Sequence, residues 1–161
     1  MPDPLSSPKA YQTFLYTLRE HYPSVYRSTL TYIPSGVLFG RAEGILFFGQ
    51  NIALCVQEII NFELGVIKGY GYEVSRAHMS PDSPDFPDAA EYCQASYPHK
   101  DKLYWYDSFP HPNDPTLAST APHHKHIPPD LKHHRVPAPD LSFTRPNLPF
   151  LIQEVEQLLK S

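Results

Sequence analysis

The chain reads as an α+β protein: an antiparallel β-meander packed by an N-terminal and a C-terminal helix, with a long Pro/His-rich irregular arm. Three observations predict it. Apolar residues recur at helical spacing only near the two ends. Between them lie β-branched and aromatic runs punctuated by glycine and asparagine. Before the last helix comes a stretch too crowded with proline to stay regular for long. The length of 161 residues suits one domain, 1–161. The 19 prolines are more than twice the usual share, so the core is expected to be modest, with eleven Tyr and nine Phe supplying much of its area.

The first element is a helix over 8–21. Ser6 or Ser7 can cap it and Pro8 suits its first turn. Tyr11, Phe14, Leu15 and Leu18 form its apolar stripe, and Pro23 ends it. His21 at its end would suit the helix dipole if charged. Strands follow over 25–77. The run 25–33 is either a strand or a turn-rich lead-in, bounded by Pro34, Ser35 and Gly36. The runs 37–49, 51–63 and 65–77 are each long enough for a strand, and their short connections predict antiparallel neighbours. In the last run Lys68, Tyr70, Tyr72 and Val74 share one face, and Ile67, Gly69, Gly71 and Glu73 the other.

Residues 78–101 read as an inserted loop of proline, aspartate and serine, with a helical turn near Asp88–Tyr92. Its acidic residues Asp82, Asp85, Asp88 and Glu91 lack the spacing of a calcium loop and read as a solvated charge run. The run 102–108 returns to strand and 109–146 forms the arm. A helix over 147–160 closes the chain, capped by Asn147, with Pro149 in its first turn and Lys160 at its negative end. Leu148, Leu151, Ile152, Val155, Leu158 and Leu159 make its apolar stripe.

The net charge of −4 disfavours a general nucleic-acid binder, which needs a cationic face to displace counterions. Nine histidines qualify this, because their protonation near pH 6 would raise the charge locally. Cys55 lies in an apolar run and reads as a small core hydrophobe, and Cys93 lies in a polar stretch. No CxxC pair points to a zinc–thiolate site. No secretory leader and no apolar run of spanning length is visible, so a cytoplasmic protein without membrane contact is expected.

Four histidines fall in two short pieces, YDSFPHP at 106–112 and APHHKHI at 121–127. Three readings fit the same residues. In the first they bind a metal: His124 and His126 point to one side of an extended segment, and His111 or Asp107 is a third ligand, a set that suits Zn, Mn or Ni. In the second they exchange protons in a metal-free ribonuclease. Asp107 orients an imidazole there, and Lys125, Arg135 or Lys132 meets the phosphate. In the third they only brace an irregular arm by bonding backbone groups that proline leaves unpaired. His133 and His134 suit surface positions. Trp105 and Tyr106 could stack on bases, although alternating aromatics on a sheet more often serve as core and cover.

The two pieces together resemble the TumE-type toxin family, whose members carry a strand ending like RYDNAPHH and then FPHHKH before an acidic-apolar helix. WYDSFPHP at 105–112 is similar to the first motif and APHHKHI to the second. The resemblance runs from about Val37 to Leu159, with the N-terminal helix and the loop at 78–101 as additions. It carries over Tyr106, Asp107, Pro110 and His111, then His123, His124, Lys125 and His126. The family's Arg is Trp105 here, its Asn is Ser108 and its second His is Pro112.

The resemblance implies a toxin, directed at RNA and neutralised by a helix-turn-helix antitoxin. The expected roles are proton transfer by His111, His124 and His126, orientation by Asp107 and phosphate binding by Lys125. This chemistry needs no cofactor. The alternative is a non-catalytic interaction or regulatory protein in which His111, His124 and His126 hold a Zn or Mn ion or brace the arm. Self-association is left open by the sequence.

Overall fold

Ser7 accepts a hydrogen bond from the backbone N–H of Ala10 at 3.0 Å, so the first helix starts where its serine and proline direct. The architecture comes from a computed structural model that describes residues 2–161. Helix α1 spans Pro8–Tyr16 and a single further turn, α2, spans Leu18–His21. The continuous helix expected over 8–21 therefore breaks at Thr17. Its hydroxyl donates to the carbonyl of Thr13, a local bond that competes with the helical ladder and bends it.

The run 25–33 forms two short strands, β1 (Arg27–Ser28) and β2 (Thr31–Pro34). Both pair with β3 (Phe39–Phe47). Where the chain crosses between them it passes over Gly44, at φ +144°. A Cβ there would lie 2.6 Å from the carbonyl oxygen of Thr29, so the crossing requires glycine. Strands β4 (Ile52–Asn61), β5 (Val66–Ala77) and β6 (Lys100–Asp107) extend the meander, every pair antiparallel.

The arm is more regular than its prolines suggest. It holds a 3-10 turn at Pro115–Thr120 and two strands, β7 (His124–His126) and β8 (Arg135–Pro137), which continue the sheet beyond β6. Three residues are too few to show a period of two, so sequence patterning could not reveal them. Helix α4 spans Leu148–Leu159. The expected cap does not form: Asn147 turns inward, donating to the Tyr72 hydroxyl and the Ser142 carbonyl.

The sheet has two different faces. Helices α1 and α4 cover one, where Tyr11, Leu15, Leu54, Tyr72, Leu151 and Ile152 are fully buried. Each such aliphatic side chain contributes about 1.5–3 kcal/mol. Glu58 is buried beneath them, accepting from the hydroxyls of Tyr11 and Tyr72 at 2.5 Å each. Burial raises its carboxyl pKa against the lowering effect of those two bonds.

On the other face, the loop at 78–101 covers Ile45, Phe47, Ala53 and Cys55. It carries a helical turn, α3 (Ala89–Tyr92), capped by Asp88. Cys55 is buried as its apolar surroundings suggest, yet it is not a free thiol: it forms a disulfide with Cys93 of the loop. Beside it the buried ammonium of Lys100 lies 2.6 Å from Glu73 and donates to the Tyr92 carbonyl at 2.7 Å.

The disulfide closes a loop of 38 residues, so its removal by paired Cys→Ser changes should cost about 4 kcal/mol on a chain-entropy basis. A chemical-denaturation midpoint checks this, and an unchanged midpoint would show that Lys100 and the loop's own packing suffice. A second test concerns Glu58. A raised folded-state pKa means the native state keeps its proton to higher pH than the unfolded chain. Stability therefore falls as pH climbs from the ordinary carboxylate range through the folded value. Glu58→Gln should remove that decline and melt at or above the wild-type temperature at pH 7. A lower melting temperature at every pH would show that the carboxylate itself is required.

Candidate functional site

Strand β6 ends on Asp107 and β7 begins on His124, and the two residues are directly paired. Trp105 pairs with His126 and Tyr106 with Lys125. Partners in an antiparallel ladder share a face. Trp105, Asp107, His124 and His126 consequently turn away from the helices, on the face that the 78–101 loop covers further along.

The side chains converge closely. His124 Nε2 lies 2.9 Å from one Asp107 oxygen and His126 Nε2 lies 3.3 Å from the other. The two Nε2 atoms are 3.1 Å apart. Each ring is fixed from behind: His124 Nδ1 bonds the Pro122 carbonyl at 2.8 Å, and His126 Nδ1 bonds that of Leu131 at 2.6 Å. A carbonyl only accepts, so each Nδ1 carries its proton and each neutral ring aims a lone pair inward. Two lone pairs and a carboxylate then meet at one point, which favours a cation among them, either a proton or a metal ion.

His111 completes the cluster from the arm. Its ring centre is 4.6 Å from that of His124, and one ligand atom from each of Asp107, His111, His124 and His126 lies within 4.8 Å of the others. The chain is steered there by the backbone N–H of Phe109, which donates to Asp107 at 3.0 Å. Trp105 stacks on His126 with ring centres 4.5 Å apart and holds its plane.

The charges follow from these contacts. Burial would raise the Asp107 pKa, but hydrogen bonds from His124 and His126 hold it well below the usual carboxylate range. Burial would lower that of His124, and its bond to Asp107 raises it instead. Desolvation and the positive charge of Arg135 both lower the His111 pKa.

The fold thus gathers Asp107, His111, His124 and His126, all legible as candidates from sequence. It does not bring Lys125 to them. Lys125 points to the helix face, 3.0 Å from Glu154 and over the rings of Tyr104 and Tyr106. His123 also lies apart, its Nδ1 2.6 Å from the Tyr70 hydroxyl. His133 and His134 are exposed, bonded to Asp130 and the Pro128 carbonyl. The carbonyls of Pro122 and Leu131 have no sequence signature, because any residue supplies one. Trp105 was findable as the residue two before Asp107 on the same strand face. Trp105, His126 and Arg135 form one cross-strand row over β6, β7 and β8.

Comparison with protein families matches residues 17–159 to the family described as Toxin TumE. The chain belongs to the TumE toxin family. Both histidine motifs lie inside the matched range, as do β1 and β2, so the likeness begins well before Val37 and directly after α1. Neither a curated protein nor a solved structure matches the chain. Among the described residues, no helix is long and apolar enough to cross a membrane.

The placement of Lys125 generates a test. Lys125→Met breaks a partly exposed ion pair and should cost about 1–2 kcal/mol in stability. Toxicity per folded molecule, measured by induced expression and growth, should be unchanged. A loss of toxicity at full stability would return Lys125 to the working site.

Proposed function

We propose that this TumE-family protein is the toxin of a toxin–antitoxin pair, that it cleaves RNA, and that Asp107, His111, His124 and His126 form its reaction centre around a divalent zinc or manganese ion. One observation carries the reading: two Nε2 atoms and a carboxylate converge while both Nδ1 atoms are committed to carbonyls. Backbone acceptors behind the ligating imidazoles are the usual support of metal-bound histidine. Ligands at 2.0–2.1 Å around a tetrahedral ion stand about 3.3 Å apart, close to the 2.9–3.3 Å separations among Asp107, His124 and His126. Imidazole with carboxylate suits zinc and manganese, and no thiolate is present to favour softer ions.

Such an ion supplies a hydroxide near neutral pH and polarises a phosphoryl oxygen. The chain's own contribution is placement. His124 and His126 are held on a strand, Asp107 neutralises charge at its neighbour, and His111 lines the adjoining cleft from the segment after β6. Membership of a toxin family supports the antitoxin partner, a helix-turn-helix protein in this reading.

A second reading rests on the 2.9 Å contact between Asp107 and His124, which also suits a carboxylate orienting an imidazolium N–H. RNA would then be cut by proton transfer among the histidines without metal.

Elemental analysis of purified protein should find about one metal ion per chain. Total RNA should be degraded, chelator should stop the degradation, and added zinc or manganese should restore it. His126→Ala should lower the cleavage rate about 100-fold or more and relieve toxicity. Cleavage that persists in chelator by metal-free protein would select the proton-transfer reading. Bound metal with no RNA degradation would point to a regulatory or interaction protein.

A further inference from the structure

We infer that Arg135, at the mouth of a cleft beside this centre, binds a phosphate group of the substrate backbone. The identity of the carrier as RNA rests on the reading above, and the phosphate site itself does not.

A backbone-cleaving centre needs a cation to hold the phosphate, and the sequence offered three. Lys125 is committed to Glu154 on the other face. Lys132 is exposed in the turn between β7 and β8. Arg135 is the one placed for the task. It sits directly across β8 from His126, on the same sheet face. Its neighbours line a cleft of about 470 Å³ formed with Pro110, His111, Pro112, Asp114 and Pro115. One wall of that cleft is therefore a member of the reaction centre.

The guanidinium is not fully used. Its Nε is buried and has no hydrogen-bond partner, and the nearest Asp114 oxygen lies 3.8 Å away. Asp114 accepts from the Thr116 N–H and hydroxyl through Oδ1 alone, and its Oδ2 faces Arg135 without reaching hydrogen-bond distance. Nε is enclosed and faces Asp114, so the two terminal nitrogens, which make no hydrogen bond to the described residues, are the donors that an oxyanion in the cleft meets. The planar fork of arginine matches two oxygens of a phosphodiester, and the stiff proline walls cost little entropy on binding. A phosphate bound there lies one strand spacing from His126.

The test uses intact protein carrying Asp107→Asn to suppress cleavage, with a labelled single-stranded RNA dodecamer read by fluorescence anisotropy. Arg135→Ala should weaken binding at least tenfold and reduce the slope of log affinity against log salt by about 0.7, the signature of one lost phosphate contact. Arg135→Lys should recover part of the affinity. Asp114→Asn, which keeps a capping side chain but removes the competing charge, should tighten binding. A parallel titration with inorganic phosphate, followed by the His111 NMR signals, should saturate with Arg135 present and not with alanine.

If Arg135 only braced the arm through Asp114, Arg135→Ala and Asp114→Asn would both lower the melting temperature and leave affinity and salt slope unchanged. That result overturns the inference. Arg135-dependent phosphate binding without RNA binding would uphold the phosphate site and remove RNA as its carrier. No phosphate binding and no Arg135-dependent RNA binding would overturn both.

Discussion

Everything at the histidine centre depends on the backbone pairing of β7 with β6. That ladder sets His124 opposite Asp107 and His126 opposite Trp105. Side chains alternate faces along a strand, so a slip of one residue would send both histidines into the helix-facing core and bring Lys125 to Asp107. The register is protected from both sides. Lys125 is anchored to Glu154 of α4, and each imidazole is anchored to a backbone carbonyl of the arm. The arm is held in turn by β8, whose Arg135 pairs with His126 and whose Val136 pairs with Lys125. A three-residue strand is weak alone, and here its two faces are fixed by different chemistry.

The sheet divides its labour between faces. The helix face is closed by apolar side chains and by the Glu58 network, whose hydroxyls and amide leave the carboxyl satisfied. The opposite face is shared. One end is sealed by the 78–101 loop, tied by Cys55–Cys93 and by Lys100. The other end carries Asp107 and the histidines, with the bare backbone of Gly71 paired beside Asp107 and open space above it. A sheet covered on one face and sealed at one end of the other thus presents polar groups at its last strands. A precise constellation needs such a support, because side chains on an unsupported loop would not stay within hydrogen-bond distance.

Much of this was legible in the chain itself. The two end helices, the central meander and the alternation of Tyr70 and Tyr72 against Gly69 and Gly71 follow from periodicity, and the structure agrees with them. A register shift between Ile59 and Ile60 nevertheless breaks the expected alternation before Gly69, putting Ile67 in the core with Tyr70 and leaving Lys68 exposed. The grouping of Asp107, His111, His124 and His126 also followed from residue type and from the resemblance to a family. What failed did so for physical reasons. Thr17 broke the first helix through a local hydroxyl bond. Asn147 abandoned its cap because a buried tyrosine offered it a better partner. The arm's strands were hidden because β-pairing is a non-local gain that a proline-rich composition does not advertise.

The sequence by itself determined the fold class, the two amphipathic helices, the strand runs and the set of residues able to do chemistry. These depend on hydrophobic period and functional-group identity, which are local properties. Only the tertiary structure decided that Cys55 and Cys93 are joined, that Lys125 and His123 leave the centre, and that Arg135 lies beside it. Each of those outcomes depends on which strand lies next to which and in what register. That is set by contacts between segments far apart in the chain, so no local pattern could contain it.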